Sequence, residues 1–349
     1  MKRIVSLDYL RGVCALLILT YHYYIWTFGE VGSNTFLGRM GIYGVSIFYV
    51  LSGMTLHIVY KNISFSILSN IIKFFTKRIL RIYPLMWFVT VCTIIISFTV
   101  PEPLKLFLNL TGLFGFFQWD NYFATGLWSI GNELVFYTFI PIFFLLYKTN
   151  RNYLFLLGVV ILIITAYFSF FKLNIENTLS EQWRNYINPL NQLIFFYCGF
   201  TIPIIFEKAN FKFKALLFSF LLCVIIFIFY PVEGDQIFIV TKWNRLIFIL
   251  LSCTICIITY KLCDYKLPGV LDEIFVYLGE ISYSVYLIHP IVYTVNNIIN
   301  NKLFNIDKTF VIVFSVILTI LLSHFSFKYI ENIFKSISMK LKFVKKSFI

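Results

Sequence analysis

The fold class is decided by residues 153–171, which read YLFLLGVVILIITAYFSFF and contain no charged side chain. A helix of this length extends about 30 Å, which matches the hydrocarbon thickness of a bilayer. The whole chain follows the same trend, because 60% of its 349 residues are apolar and only 13% are charged. Soluble domains have about 25% charged residues. The sequence therefore predicts an integral membrane protein.

The apolar pattern predicts an all-α, polytopic helical bundle with about ten transmembrane helices. Their approximate bounds are residues 8–27, 41–60, 80–100, 127–147, 153–171, 189–206, 214–231, 243–262, 274–299 and 309–329. Segment 104–118 is also apolar but too short to cross a bilayer, so we expect it to be re-entrant or interfacial. We predict a single transmembrane domain at 1–335, followed by a basic cytoplasmic tail at 336–349.

The distribution of Lys and Arg predicts that both termini are cytoplasmic. Inner loops of membrane proteins retain an excess of these residues. With the N-terminus inside, the inner loops and the tail collect most of the cations that give the chain its formal charge of +13. We therefore expect contact with membrane lipids and no binding of nucleic acid. All seven cysteines lie within or at the ends of apolar segments, and Cys253 and Cys256 lack a second pair, so no metal site is predicted.

Three ionisable residues stand out in the first predicted helix: Asp8, Arg11 and His22. Charged groups inside a span are costly, so each is a candidate site residue. Asp8 lies three residues before Arg11 and can pair with it. His22 lies within about 20° of Arg11 on the helix surface, three turns and roughly 16 Å further along. The structural alternatives are an arginine that snorkels to the surface and a histidine packed against a backbone carbonyl.

Glu133 in the fourth predicted span is a candidate partner for His22. Each lies about five residues from the predicted outer end of its helix, so the two share a depth. A neighbouring carboxylate orients an imidazole and raises its basicity. At the predicted cytoplasmic start of the third span, Arg78 and Arg81 fall on one helical side, where two guanidinium groups suit phosphate binding. Ordinary positive anchors at the membrane surface explain the same spacing.

The ninth predicted span contains Glu280 and the dipeptide His289-Pro290. Glu280 and His289 are candidate pocket residues, although a helix kink at the proline also accounts for the dipeptide. His57 and His324 have no evident chemical partner, so we interpret them as structural.

Six stretches of the sequence resemble, in order, the motifs of the acyltransferase-3 family of membrane O-acyltransferases. They are LDYLRG at 7–12 with His22 beyond it, FYVLSG at 48–53, RILRIYP at 78–84, WSIGNE at 128–133, ISYS at 281–284 with HP at 289–290, and KYIE at 328–331. The set includes Ser129 as a further candidate site residue. Each stretch is weak evidence alone, but together they cover nearly the whole chain.

The resemblance implies a multi-pass enzyme in the plasma membrane of a bacterium. It would transfer an acyl group, usually acetyl, from acyl-CoA to a hydroxyl of a cell-surface polysaccharide or lipid-linked glycan. No permanently bound cofactor is implied, since acetyl-CoA is the donor substrate. The residue matching His22 is catalytic in that family, and the arginines matching Arg11, Arg78 and Arg81 are linked to activity or donor binding. The family often has two adjacent acidic residues where this chain has Asn132-Glu133. Asn132 therefore replaces the first carboxylate, and Glu133 supplies the second.

The resulting hypothesis is that His22, oriented by Glu133, removes a proton from the acceptor hydroxyl, which then attacks the thioester. A transporter or flippase of a lipid-linked glycan would use the same charges to line a path. However, no pair of broken-helix repeats is present in the sequence. A polyprenyl-sugar glycosyltransferase would need acidic residues in the first outer loop, and residues 28–40 supply only Glu30.

Overall fold

The protein is described by a computed structural model that covers residues 3–343, a range in which no β-strand occurs. Each of the ten predicted spans overlaps one long helix. These helices are α1 (Val5–Phe28), α2 (Phe36–Tyr60), α3 (Leu68–Ser97), α4 (Leu127–Thr149), α5 (Arg151–Tyr167), α6 (Pro189–Phe206), α7 (Phe213–Phe229), α8 (Lys242–Lys261), α9 (Val270–Ile299) and α10 (Lys308–Ser326).

Within residues 3–343, eight helices are long and apolar enough to cross a membrane. They are α2 to α6 and α8 to α10, counted with the short helical turns that extend some of them. The prediction of an all-α, polytopic membrane protein is thereby confirmed. The predicted count of ten spans and the cytoplasmic position of both termini stay predictions.

Helix α3 begins at Leu68, well before the predicted start of the third span near residue 80. Lys73, Lys77 and Arg78 lower the local hydropathy, so this part of the chain reads as a loop. The helix nevertheless forms because it buries one face, on which Phe74 is fully enclosed. Arg78 and Arg81 therefore lie well inside a 30-residue helix and not at its beginning.

Segment 104–118 contains no helix long enough to cross a membrane, in agreement with its length, and its re-entrant or interfacial position stays a prediction. It forms two short helices, Pro103–Thr111 and Phe114–Phe117, which contain nine and four residues. Gly112 separates them with a φ of +71°, a left-handed conformation that favours glycine.

The helices cluster into two compact units. The first combines the described part of Met1–Tyr60 with Leu154–Ser282, and the second combines Lys61–Tyr153 with the described part of Tyr283–Ile349. Both units therefore draw on separate parts of the sequence, and α9 contributes to each. The single domain predicted at 1–335 stays a prediction.

The basic tail predicted at 336–349 is described only in part. A short helix, Asn332–Met339, runs through its beginning. Residues 344–349 of this tail, like residues 1–2, lie outside the described residues.

In the first unit, α2 packs against α6 through two glycines that bring the backbones into close contact. A Cβ atom built on Gly53 would lie 2.1 Å from the carbonyl oxygen of Phe196, and one built on Gly199 would lie 2.0 Å from that of Val50. Small residues allow this approach between helices in a membrane. Gly53 ends the FYVLSG stretch, so that motif has a clear packing role.

Replacing Gly53 with Val should separate α2 from α6, because the new side chain meets a backbone carbonyl that cannot rotate away. We expect a loss of about 1–3 kcal/mol, the usual cost of overpacking, measured as a lower thermal unfolding midpoint in detergent. Ala215→Val adds bulk at an exposed position of α7 and serves as the control. Equal midpoints for the two variants would contradict the close-packing account.

Candidate active site

An ion cluster occupies the start of α1, and Asp8 lies at its centre. One carboxylate oxygen of Asp8 accepts a 3.1 Å bond from Arg11, so the predicted pairing is present. The other oxygen accepts a 2.6 Å bond from Arg3. Arg3 also contacts Glu280 of α9 at 2.6 Å. Asp8 and Arg11 thus lie in one ionic network with Glu280, although Glu280 is far from both in the sequence.

The same residues fasten α1 to its neighbours. Arg11 donates to the hydroxyl of Thr55 and to the carbonyl of Leu51, both on α2. Gly12 lies so close to α9 that a Cβ atom there would be 2.8 Å from that of Leu278. These contacts fix how α1 is rotated within the first unit.

His22 lies on the same uninterrupted helix as Arg11, as predicted. Its half-buried imidazole stacks on the ring of Trp26, with centroids 4.9 Å apart and planes inclined by 9°. The ring of Tyr21 is also close to the imidazole, with centroids 5.2 Å apart and planes inclined by 54°. The aromatic neighbours hold the imidazole in place and leave part of it accessible, which suits a residue that exchanges protons with a substrate.

Replacing Asp8 with Asn should destabilise the first unit, because it leaves Arg11 and Arg3 with less negative charge to balance them. We expect a loss of about 1–3 kcal/mol, less than for a fully buried pair, measured by thermal unfolding in detergent. Glu280→Gln is the matched control, since Glu280 contacts only the half-exposed Arg3 within this cluster and exposed pairs contribute little. A smaller loss for Asp8→Asn than for Glu280→Gln would refute the central role of Asp8.

The second unit brings Arg78, Arg81 and Glu133 together around Tyr137. Tyr137 lies one turn after Glu133 on α4 and is buried, with its hydroxyl bonded to the Glu133 carboxylate and within electrostatic range of both arginines. The guanidinium of Arg78 lies over the Tyr137 ring, 5.8 Å from its centroid. The predicted pairing of Glu133 with His22 stays a prediction; the described neighbours of Glu133 include Tyr137 and Tyr283.

Further motif residues meet in the same unit. The Ser284 hydroxyl donates to the carboxylate of Glu331 at 2.5 Å and lies 3.0 Å from the hydroxyl of Ser326, and Glu331 is within electrostatic range of Arg81. The hydroxyl of Tyr283 donates to the carbonyl of Ile82 on α3, at 2.9 Å. The RILRIYP, WSIGNE, ISYS and KYIE stretches therefore converge on the environment of Arg81.

The other two candidates of the second unit have structural contacts. Ser129 is buried and bonds to the carbonyl of Gly126 at 2.8 Å and to the hydroxyl of Tyr286 at 2.9 Å. His289 is fully buried, and its Nδ1 lies 3.1 Å from the carbonyl of Val285, one turn earlier on α9. Helix α9 continues through Pro290 without interruption.

Three residues of these environments escaped sequence reasoning. Tyr137 is signalled only by its spacing, four residues after Glu133 on a helix. Arg3 lies before the apolar stretch and reads as an ordinary anchor. Arg245 lies inside a predicted span, where an ionisable residue is by rule a candidate, and it is fully buried in the first unit.

The first unit thus presents a half-buried imidazole at His22, and the second unit brings Arg78 and Arg81 together near Tyr137. Residues 4–325 match the family model described as "Acyltransferase domain". Because the match covers nearly the whole chain, this protein belongs to the acyltransferase family whose motifs its sequence resembles. It is a membrane acyltransferase.

One similar protein is named "Putative acetyltransferase ORF330" and comes from Acidianus two-tailed virus. It is 26% identical over 291 residues, and the alignment covers 80% of each chain. No solved structure matches the chain at a significant level.

Proposed function

We propose that this acyltransferase moves an acetyl group from acetyl-CoA to a hydroxyl of a cell-surface polysaccharide or lipid-linked glycan. The observation that carries the proposal is the geometry of α1. At one end of this helix Arg11 is held by Asp8 and by α2, and about three turns away the half-buried His22 stacks on Trp26. The proposed location is the plasma membrane of a bacterium, where such glycans are built, with the enzyme as a multi-pass protein.

The proposed chemistry is direct transfer with His22 as general base. Its neutral imidazole takes the proton of the acceptor hydroxyl, whose oxygen forms a bond to the thioester carbonyl carbon. The tetrahedral intermediate collapses, the carbon–sulfur bond breaks, and the imidazolium returns the proton to the CoA thiolate. The products are an acetyl ester and free CoA. No metal or permanently bound cofactor takes part.

Arg78 and Arg81 are the proposed ligands of the CoA phosphates. A guanidinium binds phosphate through paired, charge-assisted hydrogen bonds. Arg81 is exposed on α3, and Arg78 is held over the rings of Tyr137 and Phe74, so both are presented from a rigid helix. Arg11 already bonds to Asp8 and Thr55, so we assign it a positioning role for α1.

Replacing His22 with Ala should reduce acetyl transfer by about 10²–10⁴-fold, the usual contribution of a general base. Mass spectrometry of surface polysaccharide from cells with confirmed expression should show a loss of the mass of one acetyl group per modified unit. His324→Ala, at an exposed position of α10, should keep normal acetylation. Normal acetylation by the His22→Ala variant would overturn the assignment.

Replacing Arg78 or Arg81 with Gln should raise the KM for acetyl-CoA about 10-fold or more, because a hydrogen bond between charged groups contributes about 1.5–3 kcal/mol. The kcat should change less, since neither residue is proposed to act on the reacting carbon. Steady-state release of free CoA by the purified protein measures both constants. Arg151→Gln, at the exposed first residue of α5, is the control. An unchanged KM in both variants would remove these residues from the donor site.

A further inference from the structure

Arg245 is fully buried in the first unit, yet most of its hydrogen-bonding capacity is unused. It lies in the first turn of α8 with none of its surface exposed. One Nη atom donates a 3.3 Å bond to the side-chain oxygen of Gln192. Its Nε and its other Nη have no hydrogen-bond partner. A guanidinium keeps its charge at any physiological pH, so this position holds a buried cation.

Arg39, which is also buried in the first unit, shows what a purely structural arginine looks like in this fold. Its Nε donates to the carbonyl of Ser33, and its two Nη atoms donate to the carbonyls of Phe227, Ile228 and Tyr230. These bonds satisfy the end of α7, where helix carbonyls lack partners of their own. Arg245 makes no comparable set of bonds.

The surroundings of Arg245 are aromatic and carry no compensating charge. The guanidinium lies 4.9 Å from the ring centroid of Phe195, 5.7 Å from that of Tyr43 and 5.8 Å from that of Tyr186. Among the described residues, no acidic side chain forms an ion pair with it. The aromatic faces attract the cation, and the hydroxyls of Tyr43 and Tyr186 also approach it, although its Nε and one Nη keep no hydrogen-bond partner. The positive charge is therefore only partly compensated. Because water is excluded from this position, an electrostatic contact with an anion would be stronger here than in solvent.

A second unused polar atom lies in the same neighbourhood. Asn191 is fully buried and donates to the carbonyl of Tyr186, while its side-chain oxygen has no partner. Gln192, which contacts Arg245, donates to the same carbonyl at 2.7 Å. The environment of Tyr186 thus holds unused donors on Arg245 and an unused acceptor on Asn191. A sugar that carries an acid group offers an anion for the first and a hydroxyl for the second.

Arg245 lies at the same end of the first unit as His22. The hydroxyl of Ser6, at the start of α1, donates at 2.7 Å to the carbonyl of Thr259, near the end of α8. The two helices are therefore antiparallel, and the end of α1 lies beside the start of α8. Consistently, the hydroxyl of Tyr21 accepts a 3.0 Å bond from Gln236, which precedes α8. With both termini cytoplasmic, as predicted, this end faces outward.

We propose that Arg245 binds an anionic group, a carboxylate or a phosphate, of the glycan that accepts the acetyl group. The acceptor is then acidic, and Arg245 holds it at the end of the unit where His22 lies. This inference rests on the proposed function for the identity of the ligand. A buried charge that is only partly compensated follows the common pattern in which a binding site lowers the stability of the ligand-free protein.

The first test measures binding to the purified full-length protein in lipid nanodiscs without any acyl donor. Thermal stabilisation is followed over concentration series of glucuronate, glucose 1-phosphate and glucose, at constant ionic strength. We expect at least one anionic sugar to bind 10-fold or more tightly than glucose. Preference between the two anions distinguishes a uronic acid from a sugar phosphate. Equal binding of all three sugars, or no binding of either anion, would overturn the proposal.

Arg245→Met should weaken binding of the preferred anion at least 10-fold and remove its advantage over glucose. Arg184→Met removes an exposed cation two residues before Tyr186. It should leave the affinity for the anion and its advantage over glucose unchanged, which excludes a general electrostatic effect. Equal weakening by the two variants would count against a specific site. Because the assay contains no acetyl-CoA, it does not depend on catalysis: anion binding without acetyl transfer would refute the proposed function and leave this site standing.

The second test separates a binding residue from a structural one by the stability of the ligand-free variants. Arg245→Met should unfold at the same temperature as the unmodified protein or higher, because it removes a poorly compensated buried charge. Arg39→Met should unfold several degrees lower, because it leaves helix carbonyls without partners. An Arg245→Met protein that is unfolded, or as destabilised as Arg39→Met, would show a structural role and refute the proposal.

Discussion

The charge balance at Asp8 is the interaction on which the first unit depends. A cation within an apolar helix bundle is tolerated only when an opposite charge or several hydrogen bonds compensate it. Asp8 compensates both Arg11 and Arg3, and Arg11 adds its bonds to α2. Because these contacts fix the rotation of α1, they also fix the direction in which the imidazole of His22 points.

In the second unit, different residues compensate the charges of the arginines. Arg81 lies within electrostatic range of Tyr137 and Glu331, and Arg78 lies over two aromatic rings. Glu133 joins this environment through Tyr137. Arginines that are balanced by carboxylates yet remain partly accessible can exchange their partners for phosphate. Arg245 differs from them, since its compensation comes mainly from aromatic faces.

Much of the fold follows from the sequence because a bilayer permits few solutions. Each predicted span corresponds to a helix, since an apolar run in lipid must satisfy its own backbone hydrogen bonds. The start of α3 was not predicted, because Lys73, Lys77 and Arg78 lower the mean hydropathy of a stretch that nevertheless buries Phe74. The guanidinium of Arg78 itself lies over the Phe74 ring, a contact that a window average cannot show.

The site was predictable where its parts lie on one helix and obscure where they do not. The pairing of Asp8 with Arg11 follows from a spacing of three residues, but their link through Arg3 to Glu280 requires the packing of α1 on α9. Depth within a span suggested His22 as the partner of Glu133, yet depth gives no information about which helices are neighbours. Arg245 was overlooked because a cation in the first turn of a span usually reads as a surface anchor.

The proposed reaction is transfer of an acyl group from acyl-CoA, as opposed to movement of a glycan across the membrane. The most direct measurement supplies acetyl-CoA labelled in its acetyl group to the purified protein, together with glycan extracted from cells that lack it. The account predicts that label enters the glycan as a base-labile ester while an equal amount of free CoA thiol is released. Glycan that stays unlabelled, with no thiol released above the rate without protein, would contradict it.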